Sequence, residues 1–329
     1  MSNPIEALNN YNINNKDIEK LKSIGITNIQ SLYMTSRKNI LQIKGFTEKK
    51  ISNIFNEANK IEEYSLFLKG SDCMNQRCNN IPRISTGSKN LDNILEGGFE
   101  PNSLTEIIGE KDSNILDFIH ILCINALKKD KDSNNKVIFM DLDKKFDNDK
   151  LLFFAKGMKE NGKKCLEKIW LFDDIDFYDE IIENLNEIFE SNDTKECSLI
   201  IVDSLIVLFQ KLFKETMTKN TQINNDIEKK LDIESKLGQV LIKLKRISLL
   251  YNIPIIITRI INTDNDVIEQ YDIIKSDPNI ELILNYECKT RLKFKKIKND
   301  KIKCVILNSP MIPEKDCKFL ITEKGIIDC

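Results

Sequence analysis

The sequence predicts an α/β protein: a mostly parallel sheet flanked by helices, preceded by a small all-α domain. Three observations carry this. From residue 84 onward, short apolar runs alternate with helix-length segments, the pattern of strands covered on both faces by crossover helices. Residues 103–125, SLTEIIGEKDSNILDFIHILCIN, read as a buried strand over 104–108, a polar turn beginning at Gly109 and an apolar-faced helix. Residues 15–63 instead carry short helical segments around two glycines, Gly25 in SIGI and Gly45 in IKGF.

A strand–loop–helix unit is the setting of a phosphate-binding loop. That loop needs Gly, four residues, Gly, Lys, then Ser or Thr. Its backbone N–H groups cradle phosphates, its Lys reaches the β- and γ-phosphates, and its hydroxyl binds Mg²⁺. Here Gly109 fills the first position, and Asn114, Ile115 and Leu116 fill the last three. The frame is present and the phosphate-binding side chains are replaced.

Composition narrows the function. A chain of 329 residues can hold one large α/β domain and a small one, and 41% hydrophobic residues suffice for a packed core. A formal net charge of −2 excludes a general polycation, so any nucleic-acid surface must be local. The nine cysteines form no C-x-x-C pair and His120 is the only histidine, so neither a zinc site nor a disulfide framework is expected, and the thiols read as reduced. No metal ligand set is assigned. The polar start MSNPIEALNN and the lack of a bilayer-length apolar run predict neither a signal peptide nor a membrane partner.

Taken in order, residues 15–63 have the helix–hairpin–helix arrangement, in which a Gly turn lets backbone N–H groups approach a phosphate. Lys44, Lys49 and Lys50 beside Gly45 would supply positive charge for sequence-independent DNA contact. Such hairpins also serve as protein-interaction modules, with their lysines simply solvated. The predicted boundaries are a helix–hairpin–helix domain over 1–64, a linker over 65–83 and a core over 84–329. Within the linker, Phe67-Leu68-Lys69-Gly70 is an apolar patch, either tucked onto its own domain or docking on a neighbouring subunit's sheet edge through Phe67.

In the core, Ser88 caps a helix that Gly97-Gly98 stops. The strand over 137–140 ends in Asp141-Leu142-Asp143, an acidic tip where parallel sheets bind ligands. SLIIVD, residues 198–203, is a buried strand ending in Asp203, the form of the motif whose Asp holds the Mg²⁺ shell. Residues 214–233 are polar and Asn/Lys-rich and read as a long flexible insertion, and 262–280 as a polar loop. Leu237, Leu241, Leu244 and Ile247 mark a core helix, and two late hairpins, 290–307 and 318–328, close the chain.

These stretches together carry a resemblance. DIEKLKSIGITNIQSLYMTSRKNILQIKGFTEKKISNIFNEANKI, FLKG, ISTGSKNLDNILEGGFEPNSLTEIIGE, SKLGQVLIKLKRISLLYNIPIIIT, TRLKF, NSPMIPE and the closing GIID occur in family order. They cover nearly the whole chain, which resembles the RecA/RadA-family recombinases, most closely the eukaryotic meiosis-specific strand-exchange branch.

The resemblance implies a RecA-like ATPase core using ATP and Mg²⁺, filament assembly with itself or another recombinase on single-stranded or double-stranded DNA, and work in the nucleus. Residue by residue it puts the loop's Gly, Lys and Ser/Thr at Asn114, Ile115 and Leu116, the catalytic Glu at Asp143, and the γ-phosphate-sensing Gln at Ile260. It places the paired glycines of the second DNA-binding loop at Ile280 and Glu281, and the Asp of the subunit-spanning nucleotide cap at Asn308. The first DNA-binding loop falls on Gln210 and the polar stretch after it, and the docking motif spans Phe67 to Gly70 with its Ala lost. Gly109, Asp203, Arg291, Ser309, Pro310, Pro313 and Glu314 keep the family residue, and Arg291 joins Lys44, Gly45, Lys49 and Lys50 as a DNA-contact candidate.

Three functions fit this pattern. The favoured one is a divergent recombinase homologue in meiotic recombination and DNA repair that binds DNA or a recombinase filament with ATP hydrolysis lost or weak. The others are an active ATP-dependent strand-exchange enzyme and a protein-interaction paralogue without DNA binding.

Overall fold

The computed structural model describes residues 3–11, 13–61, 70, 83–110, 112–128, 135–173, 175, 178–190, 197–218, 223–261 and 278–329. The chain divides into two compact units, Met1–Ile81 and Pro82–Cys329. The linker predicted over 65–83 lies outside the described residues apart from Gly70, an exposed helical residue, and Arg83.

In the first unit a 3₁₀ helix (Ile5–Tyr11) precedes α1 (Asn15–Lys22), α2 (Ile29–Met34), α3 (Arg37–Leu41) and α4 (Glu48–Ile61). The starts of α1, α2 and α3 have a chemical reason: the side chains of Asn14, Asn28 and Ser36 accept hydrogen bonds from first-turn N–H groups. One face of α4 presents Ile51, Ile54, Phe55 and Ala58 to a core shared with Leu8, Leu21, Ile29 and Leu32. The two hairpin glycines adopt left-handed backbone, Gly25 at φ 82° and Gly45 at φ 98°, which side chains with a Cβ disfavour.

The second unit opens with α5 (Lys89–Ile94) and is built on a nine-stranded sheet. Its strands are β1 (Leu104–Glu110), β2 (Lys136–Asp141), β3 (Ile169–Phe172), β4 (Cys197–Asp203), β5 (Ile255–Ile261), β6 (Thr290–Lys296), β7 (Ile302–Asn308), β8 (Asp316–Thr322) and β9 (Gly325–Asp328). They lie in the order β3-β2-β4-β5-β1-β6-β7-β8-β9, with pairs from β3 through β6 parallel and the last three pairs antiparallel. Helices α6 (Ile115–Lys128), α7 (Asn148–Gly157), α8 (Gly162–Glu167), α9 (Tyr178–Glu190), α10 (Leu205–Thr218), α11 (Ile223–Tyr251) and α12 (Pro278–Glu287) accompany it.

The apolar strand runs divide by residue parity. Val137, Phe139, Leu199, Ile201 and Ile256 face one core with α6, α7 and α8. Ile138, Met140, Ile200, Val202, Ile255 and Ile257 face the other with α9, α10, α11 and α12. Because both faces are covered, no polar alternation remains in these strands, which is why they read as continuous apolar runs. At the antiparallel end Asp328 of β9 reaches back across the sequence. It accepts the Ser88 hydroxyl and the backbone N–H groups of Lys89 (3.0 Å) and Asn90 (3.2 Å), placing negative charge at the start of α5.

Three expectations are corrected. The first strand does not stop at residue 108: Gly109 and Glu110 stay in β1, paired with Ile260 and Ile261 of β5, so the turn begins later. The flexible insertion expected over 214–233 is helical up to Thr218 and again from Ile223, continuous with the core helix ending at Tyr251. The stretch holds no Gly or Pro to break a helix, and Ile233 and Glu234 are buried at its end. Of the loop expected over 262–280, residues 262–277 lie outside the described residues, and Pro278 begins α12, where its missing N–H is no loss. Among the described residues, no helix is long and apolar enough to cross a membrane.

Candidate functional site

The loop between β1 and α6 holds residues 111–114, of which Lys111 lies outside the described residues. Asn114, which the resemblance puts at the loop's second Gly, takes φ 52°, a left-handed conformation that Asn tolerates better than most residues. A side chain at Gly109 would force its neighbours to shift, because an added Cβ would come within 2.5 Å of Ser113 Oγ and 3.3 Å of Ile115 Cβ. Ile115, which the resemblance puts at the loop's Lys, is the first residue of α6, and its side chain turns into the core at 3% exposure. Leu116, which it puts at the Ser or Thr, packs on that core.

A cavity of about 190 Å³ opens over this loop. It is lined by Glu110, Asp112 and Asp117 against a single described ammonium, that of Lys150, which is itself 2.8 Å from Asp117 Oδ1. The Glu110 carboxylate also takes Lys293 at 3.0 Å and Lys295 at 3.5 Å. Ile260, which the resemblance puts at the sensing Gln, lines the cavity with an apolar surface. The lining carboxylates Glu110 and Asp117 are thus already paired with lysines, which leaves no described ammonium of this cavity uncommitted.

The neighbouring C-terminal strand tips are acidic as well. Asp203 ends β4 in register with Asp141 at the end of β2, and neither Asp203 nor Asp143 lines the loop cavity. Asp203 is 2% exposed and accepts the Thr258 hydroxyl on one oxygen, and among the described residues its Oδ2 has no hydrogen-bond donor. Burial pushes its carboxyl up to about 6; Thr258 opposes this, and Asp141 and Asp143 reinforce it. Asp141 caps its own turn, accepting the N–H groups of Lys145 (2.9 Å) and Phe146 (2.7 Å), while Asp143 forms an ion pair with Lys145.

Sequence reasoning assigned His120 no role, yet it joins the loop helix to this acidic turn. Fully buried, it has Nδ1 2.7 Å from the Leu116 carbonyl, and Nε2 accepts the Asp147 N–H at 3.3 Å. A carbonyl can only accept, so the ring is the neutral Nδ1–H tautomer, and burial lowers its pKa despite the Leu116 bond.

A second feature invisible to sequence motifs is a ring of four charges beneath the sheet end. Arg259 of β5 lies 2.9 Å from Glu106 Oε1 of β1 and 2.6 Å from Glu281 Oε1 of α12. Arg291 of β6 meets the same two carboxylates at 2.5 and 2.7 Å and also donates to Asn285. The Arg259–Glu106 contact is not an aligned hydrogen bond. Arg291, a DNA-contact candidate by sequence, is 3% exposed and committed to these partners, so it is removed from that surface. Ile280 and Glu281, which the resemblance puts at the paired loop glycines, are respectively buried in α12 and part of the ring.

In the first unit Lys44, Gly45, Lys49 and Lys50 are all exposed around the second hairpin. Lys50 pairs with Asp17 at 2.9 Å, and Lys20 Nζ donates to the Lys44 carbonyl at 2.8 Å, steadying the turn. Phe67 lies outside the described residues, and among the described residues nothing stands within 4 Å of where a Cβ of Gly70 would be. Among the described residues no cluster of His, Cys, Asp and Glu is arranged to hold a metal ion.

Comparison with known proteins agrees with this frame. The chain is 28% identical to the meiotic recombination protein DMC1 of Saccharomyces cerevisiae, over 98% of this chain and 94% of that protein. It is 30% identical to the meiotic recombination protein DLH1 of Candida albicans, over 98% and 97%, and 27% identical to the DNA repair protein RAD51 homolog 1 of Arabidopsis thaliana, over 99% and 92%. The family model described as Rad51 matches residues 76–329, and the chain therefore belongs to the Rad51 family.

Proposed function

We propose that this chain is a RecA-type recombination protein of homologous, meiotic recombination and DNA repair. In this reading it binds DNA or a recombinase filament in the nucleus without hydrolysing ATP. The recombination role is supported by relatives named for meiotic recombination and aligned over nearly their whole length. The loss of hydrolysis rests above all on Ile115. The residue that should present an ammonium to the β- and γ-phosphates is an aliphatic side chain folded into the core.

The described residues do not fit a Mg²⁺–triphosphate. The 190 Å³ cavity is smaller than the roughly 300–1,000 Å³ of ordinary ligand sites, and its one described ammonium, that of Lys150, is committed to Asp117. Losing the Lys contact costs about 1.5–3 kcal/mol. Asp203 keeps the Mg²⁺-shell position but is half-protonated near pH 6, and Asp143 is one methylene shorter than the Glu it replaces.

The proposed DNA contact is the exposed hairpin of Lys44, Gly45, Lys49 and Lys50, and Phe67 with Gly70 is the proposed link to a neighbouring recombinase subunit. Turnover by the purified chain, with and without single-stranded DNA, tests the reading. DNA binding without turnover is expected; DNA-stimulated hydrolysis with micromolar ATP affinity would establish the active strand-exchange enzyme instead. Absence of any salt-sensitive DNA binding would leave the protein-interaction role.

A further inference from the structure

We propose that Cys304 and Cys317 form a reversible cross-strand disulfide, a redox modification site at the base of the connection between β7 and β8. The two residues face each other directly in the antiparallel ladder, Cys304 on β7 and Cys317 on β8. Facing residues in such a ladder have Cα atoms about 4.5–5.5 Å apart. Disulfides span Cα separations of about 4.4–6.8 Å, so side-chain rotation alone can close this one.

The pair is chemically asymmetric. Cys304 is fully buried, and its pKa is raised by its thiol hydrogen bond to Cys317 and by burial. Cys317 is partly exposed, and the same bond holds its pKa below the ordinary thiol value. Burial pushes up the thiols of Cys123, Cys165, Cys197 and Cys288, leaving Cys317 better placed than these to attack. An open cavity of about 380 Å³ beside α5 gives an oxidant access to Cys317, and Cys329 lines it too.

With a disulfide oxidant such as oxidised glutathione, the Cys317 thiolate attacks one sulfur. The oxidant's S–S bond breaks, a mixed disulfide forms and one glutathione thiolate leaves. Cys304 then gives its proton to solvent and attacks the Cys317 sulfur, expelling the second glutathione thiolate. Two protein thiols are oxidised and one small disulfide is reduced to two thiols. The new bond ties the neck of the segment NSPMIPEK, residues 308–315, and restricts it.

The test uses the full chain and a titration with oxidised glutathione. Trypsin cuts after Lys303, Lys315 and Lys318, so the two cysteines fall on separate peptides. A non-reduced digest should contain a Cys304–Cys317 cross-link, with a mass loss of two hydrogens that dithiothreitol reverses. Cys317→Ser should abolish it and Cys329→Ser should leave it. Amide exchange over 309–315 should slow by on the order of tenfold on oxidation. A Cys317–Cys329 cross-link, a glutathione adduct left unresolved at Cys317, or unreacted thiols would each overturn the proposal. The wild-type digest decides this even if a serine variant fails to fold.

Discussion

Arg259 Nη2 lies 2.6 Å from Glu281 Oε1, joining the strand before residues 262–277 to the helix after them. With Arg291 and Glu106 the contact closes a ring in which each carboxylate serves two guanidinium groups. Removing either carboxylate leaves the two buried arginines sharing the other. Glu281 is partly exposed and therefore partly screened, so Glu281→Gln is expected to cost about 2 kcal/mol, and Glu106→Gln about 3–5 kcal/mol. Urea unfolding measures both, and faster amide exchange in α12 localises the first. Burial raises the pKa of Glu281, but Arg291 and Arg259 outweigh it and hold the group below the usual carboxylate range. Its contribution is therefore present above the unfolded carboxylate pKa and lost as pH falls through the lower folded value.

Ile115 gives the second prediction. Ile115→Ala removes a buried aliphatic side chain between α6 and β1 and should cost about 2–4 kcal/mol in thermal or urea unfolding. Ile115→Lys should cost more, because the ammonium must be buried or drag its stem out of the core. A Lys variant as stable as wild type would mean that the position still opens to solvent as a phosphate-binding lysine needs.

Asp203 ties stability to pH. Its folded pKa of about 6 lies above the ordinary 3.8, so its contribution is complete below about pH 4 and is lost as pH rises through 6. The loss is about 3 kcal/mol at most. Asp203→Asn keeps an acceptor for Thr258 and removes the charge. The variant should match wild type at pH 4 and exceed it at pH 7.5. The neutral, buried His120 acts with the opposite sign below about pH 6.5, but it is common to both proteins and cancels in the comparison.

The hairpin lysines supply a salt-dependent test. If Lys44 and Lys49 each contact a phosphate, single-strand affinity should fall with salt, and each Lys→Ala change should reduce the log–log slope by about 0.7. Unchanged slopes would exclude the hairpin as the contact.

Much of this architecture was legible in the sequence because the signals are local. SLIIVD, PIIIT and the 103–125 unit announce buried strands by apolar run length, and Ser88 announces a cap by its hydroxyl. The misread segments have a common physical cause. Over 214–233 the Asn and Lys content masked a helix whose only signals are missing breakers and the apolar residues near its end. Arg291 read as a DNA contact because a motif shows charge but not burial; its partner Glu106 lies 185 positions away. The Asp328 cap of α5 spans 240 positions, and the His120 bridge has no spacing signature at all. At the positions the resemblance assigns to the phosphate loop, the departures and the nearby acids Glu110, Asp112 and Asp117 were readable in one short stretch, but the pairing of Asp117 with Lys150 of α7 spans 33 positions and has no local signal.

The central claim is that the loop of Gly109 to Leu116 keeps its backbone frame and has lost its phosphate chemistry. Isothermal calorimetry of the purified chain with ATP and Mg²⁺, beside the triple variant Asn114→Gly, Ile115→Lys, Leu116→Thr, tests it most directly. No measurable binding by wild type at millimolar ATP is predicted, whether or not the variant regains it; micromolar affinity in wild type would contradict the account.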